Sequence, residues 1–158
     1  MPQRTRSVVR SSGTVESASF PSASFEGQLV QHADSGTVYK WDGASWAPVD
    51  SGKSRGAKAS GVSARDAVTM VGGTYVKTDP SQHDRVDGIV AYVVEGEAEV
   101  WSSGVVPGFT GMTSGDRIFV SSSAGVLGGA PSGLVELPVG YAISATELMV
   151  RIGEPFGD

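Results

Sequence analysis

Apolar residues in this chain come in short runs bounded by glycine, proline, serine and aspartate, the rhythm of strands joined by turns. No stretch of about ten residues keeps the 3.6-residue apolar repeat of an amphipathic helix, and Ala64–Thr69 offers at most a helical turn. Leu29-Val30-Gln31 reads as a first strand with Asp34-Ser35-Gly36 as its turn. Thr37–Trp41 follows as a second strand, Asp42-Gly43 as a tight turn and Ser45–Val49 as a third strand. Beyond a polar stretch, Ala67–Val71 and Thr74–Lys77 flank Gly72-Gly73. Ile89–Val94 is apolar throughout, as expected of a strand buried on both faces, and Glu97–Trp101 alternates. The last third predicts a meander: Arg117–Ser121, a Ser122–Gly125 turn, Val126-Leu127, a Gly128–Gly133 spacer, then Leu134–Ile143 and Leu148–Ile152.

The pattern predicts an all-β chain. An extended N-terminal arm (1–25) and a three-stranded β-hairpin module (26–50) lead into a Gly/Ser-rich linker (51–60). A Gly-rich antiparallel domain, sandwich or barrel-like, spans 61–153, and a short tail covers 154–158. Composition agrees: 22 Gly and 8 Pro among 158 residues, with 8% aromatics, favour short strands and turns over a helical bundle. There is no cysteine, hence no disulfide and no thiolate metal site. No apolar run approaches the ~20 residues of a membrane-spanning helix, so no membrane insertion is expected. No apolar segment follows the first arginines, which argues against a secretory signal.

Charge is unevenly distributed. The first ten residues hold Arg4, Arg6 and Arg10 and no acid, leaving nine basic against seventeen acidic residues in the remainder. An acidic body repels phosphates, so nucleic acid is not an expected partner. Residues 1–25 contain seven Ser and few bulky apolar side chains. Such a segment cannot bury enough surface to offset its ordering entropy unless something else orders it. A docking tail with Phe20 and Phe25 as anchors is one reading, and a solvated terminus is the other. The 26–50 module is itself too small to stand alone and must pack on the rest of the chain or on copies of itself.

Candidate chemistry is sparse. Gly52-Lys53-Ser54 looks like the end of a phosphate-binding loop, but the position that needs the first Gly holds Ala47, inside a predicted strand. His83-Asp84 among serines invites a Ser-His-Asp reading, yet no Gly-x-Ser-x-Gly elbow is present, and a polar loop over residues 80–84 fits better. Glu95, Glu97 and Glu99 recur at alternate positions, about 7 Å apart on a strand, and read as a solvated stripe or one facing a neighbour's Arg. Neither catalysis, a metal nor a cofactor is expected. Tyr39, Trp41 and Trp46 have three readings: the core of the small module, a flat platform for sugar rings, or an oligomer interface.

Two phrases carry a resemblance. The first runs through Gly115, Asp116, Ile118, Val120, Ala124, Gly125, Leu127, Pro131, Val139, Gly140, Ala142, Ser144, Thr146, Leu148 and Val150. It resembles the β-domains of tailed-bacteriophage fibres and capsid decoration proteins. The second, Gly-x-Leu-Val followed by Gly-x-Val-Tyr-x-Trp-Asp-Gly-x-x-Trp-x-Pro-Val, looks like a short module of phage fibre and tail proteins. The resemblance implies a structural virion protein on the particle surface, synthesised in the host cytoplasm. It would be a short head fibre, spike or cement protein, with a homotrimer solving the size problem. The implied partners are the major capsid protein or a portal or neck protein, docked through Arg4, Arg6, Arg10, Phe20 and Phe25. A tail-fibre or receptor-binding role, with a host surface glycan as ligand, uses the same kind of domain.

Overall fold

The computed structural model describes Val8–Val9, Val15–Ser17 and residues 19–152. Fifteen strands and no helix occur among the described residues. They form three five-stranded sheets, within two compact units divided between Ser54 and Arg55. The all-β class is therefore as expected.

The first unit contains one sheet, with strands in chain order: β1 (Val8–Val9), β2 (Val15–Ser17), β3 (Leu29–His32), β4 (Val38–Trp41) and β5 (Trp46–Pro48). Neighbours are antiparallel except β2 and β3, which run parallel, pairing Val15 with Val30 and Ser17 with His32. A parallel pair cannot be closed by a tight turn, so the chain must travel back before β3 begins. That return carries Phe20 onto the core of Val30, Tyr39 and Trp46.

Of the expected 1–25 arm, residues 15–17 and Phe20 are thus drawn into the first unit, while most of residues 1–14 lie outside the described residues. Residues 15–17 gain backbone partners from β3, and Phe20 gains an apolar pocket, both from the same chain. The ordering surface that the sequence seemed to lack is internal. The Asp42-Gly43 turn is also longer than expected: Trp41 pairs with Trp46 around four residues, and the Asp42 carboxylate accepts the Ala44 and Ser45 N–H groups, each at 2.8 Å.

The other two sheets belong to the second unit, apart from Lys53 and Ser54. One is ordered β6 (Lys53–Gly56), β10 (Glu97–Trp101), β9 (Gly88–Val94), β7 (Ala67–Val71), β8 (Thr74–Lys77). The other is ordered β11 (Ser103–Val106), β15 (Leu148–Arg151), β14 (Pro138–Ala142), β12 (Arg117–Val120), β13 (Leu127–Gly128). The expected linker is thus partly strand. Residues 53–56 pair with β10, and Ala57 and Ala59 bond the backbone of Tyr75, each at 2.8 Å.

The main core lies where the two sheets meet. Ala67, Ile89, Ala91 and Trp101 from one sheet join Val106, Ile118, Val139, Leu148 and Val150 from the other. The opposite face of the β7–β9–β10 sheet is also buried, its Val68, Tyr75, Val90, Ala98 and Val100 clustering with Val62. This two-sided burial explains the unbroken apolar run of β9. Gly140 marks the tightest approach of two strands. A Cβ there would lie 1.9 Å from the Met149 carbonyl oxygen, so no other residue fits.

Candidate functional site

Arg4, Arg6 and Arg10 lie outside the described residues. Phe20 meets the Tyr39 ring edge-on at 4.7 Å and stacks on Trp46 at 5.8 Å, so it belongs to the unit's own core. Phe25 is 63% exposed. Tyr39 and Trp46 are buried, and Trp41 packs partly against them. A flat aromatic platform is therefore not presented by Tyr39 and Trp46; these rings are the module's core, one of the three readings open from sequence.

The other sequence candidates disperse. In the 79–84 loop, Ser81 gives its hydroxyl and its N–H to the Asp79 carboxylate at 2.7 and 2.9 Å, while His83 Nδ1 accepts the Asp79 N–H at 2.9 Å. Serine and histidine therefore serve the loop's own turn and do not meet as nucleophile and base. Those Ser81 bonds hold the Asp79 carboxyl below its ordinary value, the hydroxyl contributing most. The glutamates are not one stripe. Glu95 and Gly96 form the two-residue turn between β9 and β10, with φ of 50° and 80°. Glu97 pairs with Arg55 at 3.1 Å. Glu99 is fully buried and accepts the Trp101 indole N–H at 2.8 Å. Among the described residues, no three acids or histidines gather closely enough to hold a metal ion.

What the fold does assemble is a groove in the second unit, which sequence reasoning did not single out. The 107–116 loop, which follows β11, forms one wall, and the Gly125–Gly129 segment around β13 forms the other. Two adjoining hollows of about 200 and 310 Å³ share Phe109, Thr110 and Leu127. Met112, Ile118 and Leu127 supply apolar lining. The loop is anchored from below: Phe109 N–H bonds the Thr146 carbonyl at 3.1 Å, Met112 N–H bonds that of Ala145 at 3.2 Å, and Gly115 N–H bonds that of Ala142 at 2.7 Å.

Arg65 closes one end. It is the third residue of a turn sealed by the Asp66 N–H and the Ser63 carbonyl at 3.2 Å, and its φ is 78°. That left-handed conformation favours Gly, and a long side chain there is strained by about 1–2 kcal/mol. Arg65 Nη1 donates to the Ala91 carbonyl, and the guanidinium lies 5.7 Å from the Tyr92 ring centre. Its Nε is buried without a hydrogen-bond partner. Gly108, with φ 94°, makes room: a Cβ there would sit 2.5 Å from Arg65 Nε. Asp66 does not neutralise this cation, since its carboxylate accepts the Ser63 N–H at 2.9 Å and lies 4.0 Å from Lys77 Nζ.

No protein-family model, curated protein or solved structure matches this chain.

Proposed function

We propose that this chain is a structural virion protein of a tailed phage or phage-like particle, decorating the capsid as a short head fibre, spike or cement protein. The observation that carries this reading is where the resemblance residues fall. Ile118, Val120, Val139, Ala142, Leu148 and Val150 are all buried, and Gly115 and Gly125 take positive φ at turns. The fibre-like phrase is thus the framework of one sheet, not a scatter of surface matches. The second unit acts as a sandwich-like knob, and the first as its attachment module.

The assembly proposed is a homotrimer, and the small core of the first unit supports association with other copies. Among the described residues its buried apolar side chains are Val30, Tyr39 and Trp46, while Phe25, Leu29 and Val49 are 63%, 38% and 47% exposed. A neighbouring copy or the capsid would cover that apolar surface. Arg4, Arg6 and Arg10 would meet acidic residues on the major capsid, portal or neck protein, and Phe25 would fill an apolar pocket. Phe20 leaves the docking set, because its ring is already used.

Deleting residues 2–14 keeps β2 and Phe20 and is expected to abolish association with purified heads. Undiminished association would remove the docking arm. One observation favours a second reading, a receptor-binding role toward a host surface glycan: the groove between the 107–116 loop and β13. In that case the ligand lies on the second unit, and Trp41→Ala leaves glycan binding intact.

A further inference from the structure

We propose that the hollow between the 107–116 loop and β13 takes one neutral hexopyranose ring of a surface glycan, with Asp116 accepting two neighbouring sugar hydroxyls. This rests on the receptor-binding reading and names the ligand class and the subsite for it. The hollow is formed before any ligand arrives. The N–H groups of Phe109, Met112 and Gly115 tie its loop wall to the carbonyls of Thr146, Ala145 and Ala142, and Ser114 Oγ donates to the Ile143 carbonyl at 3.2 Å. A loop tied down in this way loses little further freedom on binding. The Asp116 N–H also bonds the Thr113 carbonyl at 3.0 Å, closing a turn in which Gly115 has a φ of 91°. The ends of such a turn lie within ~7 Å of each other, so the Thr113 hydroxyl and the Asp116 carboxylate meet on one rim of the hollow.

The lining is two-sided in the way a pyranose is. Phe109, Met112 and Leu127 pack against the main core and also border the hollow, which fixes an apolar surface for the C–H face of the ring. Thr110, Thr113 and Asp116 are exposed, and their side chains have no hydrogen-bond partner among the described residues. A carboxylate accepts at both oxygens and cannot donate, so it matches a pair of hydroxyls. The same charge repels an acidic sugar, which makes the expected ligand neutral. The other polar side chains of the lining are threonines rather than further acids, which suits hydroxyls better than an amine. At about 200 Å³ the hollow is smaller than the ~300–1,000 Å³ of sites for drug-sized ligands and suits one ring, while the adjoining hollow leaves room for the next. A peptide added as an extra strand fits less well, since β13 is two residues long and too short to template one.

The test is an NMR titration of the full chain with methyl glucoside, methyl galactoside and methyl mannoside, and with glucuronate as the acidic comparator. At least one neutral probe is expected to bind with a dissociation constant of about 1 mM, the scale for a single ring, and to shift the amides of Phe109, Met112, Thr113, Asp116 and Gly129. Glucuronate should bind more weakly. Asp116→Ala removes a side chain on which the fold does not depend and should weaken the neutral probe about tenfold or more. Gly129→Val should block the hollow without strain, because the Gly129 backbone is outside the left-handed region and a Cβ there meets nothing within 4 Å. The assignment is overturned by glucuronate binding as tightly as the best neutral probe, by shifts elsewhere, by full affinity in either variant, or by silence from all three neutral probes at about 20 mM. A glycan array separates that failure from failure of the receptor reading. Array binding that survives Gly129→Val puts the receptor site elsewhere, and silence across the array removes the receptor role.

Discussion

Phe20→Ala separates a core role from a docking role for the most informative aromatic in the first unit. Removing a fully buried Phe costs about 3–5 kcal/mol. Phe20 is partly buried, but its ring also makes an edge contact with Tyr39 at 4.7 Å and a stacked contact with Trp46 at 5.8 Å. Each such pair is worth about 0.5–1.5 kcal/mol beyond area. A loss of about 2–3 kcal/mol is therefore expected. A core this small supplies only about 3–5 kcal/mol in all, so most of the unit's stability is at stake. Hydrogen exchange reads this directly. The amides of His32, Trp41 and Val49, bonded at 2.9, 2.9 and 3.0 Å, should exchange about 30- to 150-fold faster. Those of Val90, Val120 and Ala142 in the second unit, bonded at 2.9, 3.0 and 2.9 Å, should be unaffected. Phe25→Ala, at a 63% exposed position, should change neither set by more than about 0.5 kcal/mol. Unchanged protection in Phe20→Ala, or equal losses in both variants, would refute the core assignment.

Other expectations concern the second unit and the turns. Gly140→Ala should destabilise by about 3 kcal/mol or more in urea unfolding, because its Cβ has only 1.9 Å to the Met149 oxygen; a wild-type midpoint would contradict the strand approach. Leu148→Ala, at a fully buried position between the two sheets, should cost about 2–5 kcal/mol in the same assay, and a change below about 1 kcal/mol would place Leu148 outside the core. The Ser45 N–H, then that of Ala44, holds the Asp42 carboxyl below its ordinary value. The turn's stabilisation is thus present above the ordinary carboxylate pKa and lost as pH falls through the lowered one. An NMR titration midpoint at or above the ordinary value would contradict this.

Strands whose apolar spacing was bounded by strong turn residues were legible from sequence. Gly72-Gly73 does separate β7 from β8, with both glycines at positive φ, and Ile89–Val94 does lie between two cores. Lys53–Gly56 was not legible, because an edge strand can be made by backbone pairing and polar side-chain contacts such as Arg55 with Glu97, with no apolar run to announce it. Nor was the shortening of the predicted 134–143 strand, which begins only at Pro138. The run from Leu134 is apolar enough for a strand, but Leu134 is 67% exposed and pairs with nothing in the sheet. The groove was hidden for a different reason. Arg65 and Gly108 are distant in sequence, and neither belongs to a motif; only the meeting of the two sheets brings the guanidinium against that glycine. The Glu95–Glu99 stripe misled because Glu95 falls in the two-residue turn, Glu97 meets Arg55 of the same chain, and Glu99 is buried on the Trp101 indole.

Quantitative mass spectrometry of purified, intact particles, with heads and tails separated, tests attachment most directly. The chain is expected in the head fraction, in a fixed copy number per capsid that is a multiple of three. Its absence from purified particles, with the whole pool recovered as a soluble monomer, would contradict the structural role.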